Sequence, residues 1–216
     1  MLFHHYAELA AFLAGFTLVK KNWPLPYKLL VVLAGVTFIV ESVGQQLWNR
    51  YHYNNNWIYN LFVPLQHLIF LLFLRYAVIG RKQKKIIDML IVLLIVGVPV
   101  TYYWHRDFFI FNSAAGIFVL LFLFIAICLY FLDIMLNNER GPLYLQPEFW
   151  MVTGLFFFCS IFLVQFSMWR YLKMLPNLKA ILTYTNIVSN LLLYSGFIAS
   201  FICMAPNYRP SISSGQ

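Results

Sequence analysis

Few side chains in this sequence can do chemistry, and those that can are set inside long apolar runs. Glu41 and Gln45 are four residues apart, so a helix puts them on one face. Asn60, Pro64 and His67 follow the same rule, with Gln66 beside them. Asn186 and Asn190 repeat it near the end of the chain, joined by Thr183, Thr185 and Ser189, while Ser160 and Gln165 interrupt another apolar run. A carboxylate and an imidazole can exchange a proton, because histidine titrates near neutral pH. The amides can orient a small polar group. Two readings stand side by side. Asn, Gln and Ser bridge packed membrane helices at roughly 0.6–2 kcal/mol per bond, or the same residues converge on a ligand. Glu41 and His67 favour the second, since a charged group at membrane depth costs about 2.5–3.5 kcal/mol.

Composition fixes the setting. Of 216 residues, 62% are hydrophobic and 10% charged, with a mean hydropathy of +0.75. A soluble domain carries about 25% charged residues, so a soluble enzyme, a disordered tail and a secreted disulfide scaffold are excluded. An all-α polytopic membrane protein is expected. A crossing takes roughly 20 apolar residues. Seven segments qualify: 5–20, 27–48, 56–76, 86–104, 112–136, 149–171 and 179–204. Together they make one transmembrane bundle over 1–204, followed by a short flexible tail over 205–216. The first two span only if Glu8 and Glu41 lie within them. Trp23, Trp48, Trp57, Trp104, Trp150 and Trp169 all fall at segment ends, where tryptophan favours the membrane interface.

The basic residues give the orientation. With the amino terminus outside, ten of the fifteen Lys and Arg fall on the inner side, and Arg81-Lys82-Gln83-Lys84-Lys85 carries the most weight. The carboxyl terminus is then cytoplasmic. The net charge of +8 reflects these flanks and anionic lipid headgroups, so no nucleic-acid partner is expected.

Under that topology Glu41, Gln45, Asn60, Gln66, His67, Gln165, Asn186 and Asn190 lie in the outer half. They predict an outward-facing polar pocket built from the second, third, sixth and seventh helices. Asp88 and Asp133 lie near inner helix ends, where basic loop residues can neutralise them. Pro64 removes one helix hydrogen bond and frees the Asn60 carbonyl. His4, His5, His52, His67 and His105, with Glu8 and Glu41, are also a zinc ligand inventory, but HExxH is missing, and no metal or cofactor is expected. Cys128, Cys159 and Cys203 are odd in number, form no CxxC and read as packing residues. No GxSxG, P-loop or GxGxxG occurs, so no catalytic residue is assigned.

The stretch from Glu41 to Phe73, with Asn54-Asn55-Asn56-Trp57-Ile58-Tyr59-Asn60 and Pro64-Leu65-Gln66-His67, and the later Pro147-Glu148-Phe149-Trp150, resembles a group of small seven-helix membrane proteins of Gram-negative bacteria with no assigned activity. The resemblance implies a bacterial inner-membrane setting. The group often has an acid where this chain has Gln66, which removes a second intramembrane carboxylate here. The function expected first is a receptor-like or accessory module that binds a small molecule or lipid and engages a membrane or cytoplasmic protein partner. A transporter built as three helices, a linker and three more is the alternative. An intramembrane lipid-modifying hydrolase using Glu41 and His67, with Ser160 or a metal, is the third.

Overall fold

The computed structural model describes residues 3–52, 54–105, 107–137, 141–168 and 177–205, with backbone alone for Phe3, His4, His105 and Lys179. The expected tail, Trp169, Arg170 and Lys173 lie outside them, apart from Ala205. Seven α-helices occur among the described residues: α1 (Phe3–Leu18), α2 (Leu25–Tyr51), α3 (Asn56–Ala77), α4 (Arg81–His105), α5 (Ser113–Leu136), α6 (Pro147–Ser167) and α7 (Leu178–Met204), with a 3₁₀ turn at Leu143–Leu145. Six of them, α2 to α7, are long and apolar enough to cross a membrane, which makes this a multi-pass membrane protein in a lipid bilayer. At 16 residues, α1 falls short of that length, so the expected seventh crossing is not among those six.

Each helix packs beside the next across a short connection, so successive helices run antiparallel. α1 also packs on α7 and α3 on α5. Helices α1, α2, α3, α5, α6 and α7 therefore form a closed ring, and α4 lies outside it against α3 and α5. Trp23, Trp48, Trp57, Trp104 and Trp150 all lie within four residues of a helix end. Trp23 differs from an interfacial residue in being buried, against Tyr27 and Phe201.

Local chemistry sets the helix ends. α4 begins five residues before its apolar core and takes the basic cluster into its first turn. Cations there oppose the helix dipole, and the buried Asp133 of α5 offsets them. Its carboxylate accepts from Ile79 N (2.9 Å), Gly80 N (2.8 Å) and Asn137 Nδ2 (2.8 Å), capping the start of α4. Asp88 pairs with Arg75 of α3. Of the two inner-end acids, Asp133 is thus held by backbone N–H groups and Asp88 by a basic side chain. α5 is capped by Asn112, whose side chain accepts from Ala115 N at 3.1 Å.

Two packing features shape the interior. Gly154 and Gly196 bring α6 and α7 into backbone contact, and a Cβ on Gly196 would lie 2.7 Å from the Trp150 carbonyl oxygen. Small residues at such contacts are how membrane helices approach closely when lipid offers no hydrophobic drive. Toward the end of the ring that carries Lys20 and Arg81, aromatic side chains fill the centre. Tyr27 meets Phe73 at 5.4 Å between ring centroids, Phe70 meets Phe197 at 6.2 Å, and all four are fully buried. The other half, beside the start of α1, is hollow.

Candidate functional site

The hollow is a cavity of about 390 Å³, within the size range of ligand pockets. It runs down α2 from Trp48 to Thr37, roughly 16 Å at 1.5 Å per residue. Below, His67 on Phe70 (6.1 Å) and Tyr194 on Phe197 (5.5 Å) join it to the aromatic plug.

Of the eight residues expected at a site, six line this cavity: Glu41, Gln45, Gln66, His67, Asn186 and Asn190. The other two do not, and each has a structural task. Asn60 is buried and donates from Nδ2 to the Phe108 (2.7 Å) and Ile110 (2.9 Å) carbonyls. Its Oδ1 accepts from Asn112 N at 3.0 Å. Helical spacing does put Asn60 and His67 on one face, but at the level of Asn60 the α4–α5 connection tucks inward and takes the space. Gln165 accepts from Thr185 Oγ1 at 3.2 Å, tying α6 to α7 in the manner of interhelical glue. The carbonyl that Pro64 frees on Asn60 accepts from the Tyr102 hydroxyl at 2.6 Å, so the proline serves the contact with α4.

The polar geometry starts at Glu41. Its carboxylate accepts from the Tyr59 hydroxyl at 3.0 Å, linking α2 to α3. Gly44 allows this approach, since a Cβ there would lie 2.8 Å from the Tyr59 oxygen. Asn55 Nδ2 donates to the Gly44 carbonyl at 2.9 Å, fixing the α2–α3 corner over the cavity. His67, 3% exposed, donates from Nδ1 to the Val63 carbonyl at 2.8 Å. A carbonyl only accepts, so the neutral ring carries its proton on Nδ1 and leaves Nε2 as a lone-pair acceptor. That Nε2 is buried and has no hydrogen-bond partner. The side-chain oxygen of Asn186 is in the same condition, while Asn190 donates to the Asn186 carbonyl at 2.9 Å. Buried polar atoms are nearly always paired, and these two leave acceptors on the cavity wall open to a hydrogen-bond donor.

α1 and α5 also contribute to the walls, although a site from four helices was expected. His5 of α1 lines the cavity, with Nδ1 3.7 Å from Glu8 Oε2. Glu8 is 1% exposed and lies within electrostatic reach of Glu41. Its Oε2 has no hydrogen bond. Thr37, Asn55, Tyr59 and Tyr194 line the cavity as well. The spacing of His5 and Glu8, i and i+3 in an apolar run, carries the signal for their shared face. Tyr59 stands at i to Val63, Gln66 and His67 at i+4, i+7 and i+8, a stripe visible once tyrosine is counted as polar.

Several expected chemistries do not meet here. Ser160 donates back to the Phe156 carbonyl at 2.7 Å and does not line the cavity. Among the described residues, no three of His, Cys, Asp or Glu group as a metal site. The side chains of His4 and His105 lie outside the described residues. The three cysteines are free and fall on α5, α6 and α7. No protein-family model, no curated protein and no solved structure matches this chain.

Proposed function

We propose that this protein is a receptor-like or accessory membrane module that binds a small molecule or lipid in the ring cavity. One observation carries it: a cavity whose wall presents Glu41 together with the unpaired buried His67 Nε2 and Asn186 Oδ1. In this reading all seven helices cross the bacterial inner membrane and the amino terminus lies outside. Lys20, Lys21, Lys28, Arg75, Arg81, Lys82, Lys84 and Lys85 support that orientation. They share one end of the bundle, while Arg50 and Lys179 lie at the other among the described residues. The cavity then opens outward and the basic end faces a membrane or cytoplasmic protein partner.

The test is a thermal-stability screen of the purified protein against a small-molecule and lipid library. A ligand that stabilises wild type should lose its effect in the combined Glu41→Leu, His67→Phe, Asn190→Leu variant. An unchanged shift in that variant would end the proposal.

A second reading, a transporter of three helices, a linker and three more, is favoured by one feature. The outlying α4 divides the ring, and pairs α1–α2, α2–α3 and α3–α5 correspond in order to α5–α6, α6–α7 and α7–α1. The aromatic plug below His67 stands against a through-path in this conformation. Uptake into reconstituted vesicles separates the two.

A further inference from the structure

The cavity has a sign. It holds Glu41 on its wall and Glu8 behind it, and among the described residues neither a lysine nor an arginine lines it. A carboxylate withdrawn from water needs a proton, a cation or several donors. Glu41 has one donor shown, the Tyr59 hydroxyl, and the Glu8 Oε2 atom makes no hydrogen bond and faces His5 Nδ1 at 3.7 Å. The tautomer of His67 adds a buried lone pair at Nε2 rather than a proton. An incoming anion would meet Glu41 and that acceptor on the wall, with Glu8 behind His5. An incoming ammonium would find them as partners.

Much of the rest of the wall is aromatic. Trp48, Tyr59, Phe62, Phe158, Phe162 and Phe166 are among its lining residues. Ring faces attract cations, by about 0.5–2 kcal/mol each, and accept an apolar body. Phe62 also lines an apolar groove between α2 and α3, with Ile39, Val43 and Leu61. The cavity therefore adjoins the lipid-facing surface, from which an amphipathic molecule can enter.

We infer that the cavity binds an organic cation: a protonated amine with an apolar or aromatic body, its ammonium held by Glu41 and the His67 Nε2 atom and its body among the aromatic side chains. The inference rests on the ligand-binding reading above and gives that ligand its chemical class.

Three probes with one body and different charge decide it: 2-phenylethylamine, 2-phenylethanol and phenylacetate, titrated separately at pH 7.4 into the full-length protein in detergent, with melting temperature and calorimetric heat as readouts. The amine should stabilise and bind, at least about tenfold more tightly than the alcohol, with no binding of the acid. Glu41→Gln should weaken the amine by a similar factor and leave the alcohol unchanged. If that variant does not fold, the charge preference of wild type alone decides. Equal or tighter binding of the alcohol or the acid overturns the cation inference while leaving a binding cavity in place. Binding of none of the three overturns the inference, and the library screen then judges the broader reading separately.

Discussion

Asn60 holds the α4–α5 connection through its side chain and α4 through its backbone carbonyl. Its amide closes on Phe108, Ile110 and Asn112, and its carbonyl takes the Tyr102 hydroxyl. Replacing it by alanine strands the buried Asn112 N–H, at about 1–3 kcal/mol, and frees the part-buried Phe108 and Ile110 carbonyls. Asn60→Ala should therefore lose about 2 kcal/mol or more, read as a fall in melting temperature in detergent. Because Phe111 of the same connection lines the cavity, probe binding should weaken with it. Tyr59→Phe removes one hydrogen bond at a half-buried site and should cost only about 1 kcal/mol. An equal loss in the two variants would contradict the roles assigned here. In sequence, Asn60 and His67 were indistinguishable members of one polar stripe. The periodicity placed them on one face correctly. What fills the space opposite each depends on where a loop 50 residues away folds, and no local pattern carries that.

At the scale of the element, the closest contact is that of α6 with α7. A leucine at Gly196 would put Cβ 2.7 Å from the Trp150 carbonyl, where backbone cannot give way cheaply. Overpacking of this kind costs about 1–3 kcal/mol, so Gly196→Leu should lower the melting temperature while Gly141→Leu, with open space around it, should not. Asp133→Ala should likewise destabilise, by about 1–3 kcal/mol, since it uncaps α4 and removes the acceptor of the part-buried Ile79 and Gly80 N–H groups. Protease or hydrogen-exchange protection at the start of α4 would show the loss locally. Apolar length marked α2 to α7 in the sequence, and tryptophan marked ends of α2, α3, α4 and α6. The early start of α4 was hidden, because five basic and polar residues read as a loop until Asp133 from α5 is seen to hold them in a helix.

On the scale of the whole molecule, a ring closed by α1 against α7 leaves one half solid and the other hollow. The solid half is legible in composition only as an excess of phenylalanine, whereas its position follows from Phe70 meeting Phe197 and Tyr27 meeting Phe73 between helices. Polar residues on helices two, three and seven line the hollow half, whereas Gln165 and Ser160 of the sixth do not. The contribution of α1 was not legible in the sequence, because Glu8 and His5 acquire their place only when the ring closes. Orientation has its own check in a background with the native cysteines replaced. A cysteine at His52 should react with a membrane-impermeant reagent added to whole cells, and one at Gln83 only after lysis; the reverse pattern would invert the bundle.

Whether the cavity holds a molecule is read most directly by native mass spectrometry of the protein released from its own membrane in mild detergent. Wild type should carry a bound small-molecule or lipid mass that is missing from the Glu41→Leu, His67→Phe, Asn190→Leu variant. Identical spectra for the two, bare or equally loaded, would contradict a ligand site built from Glu41, His67 and Asn190.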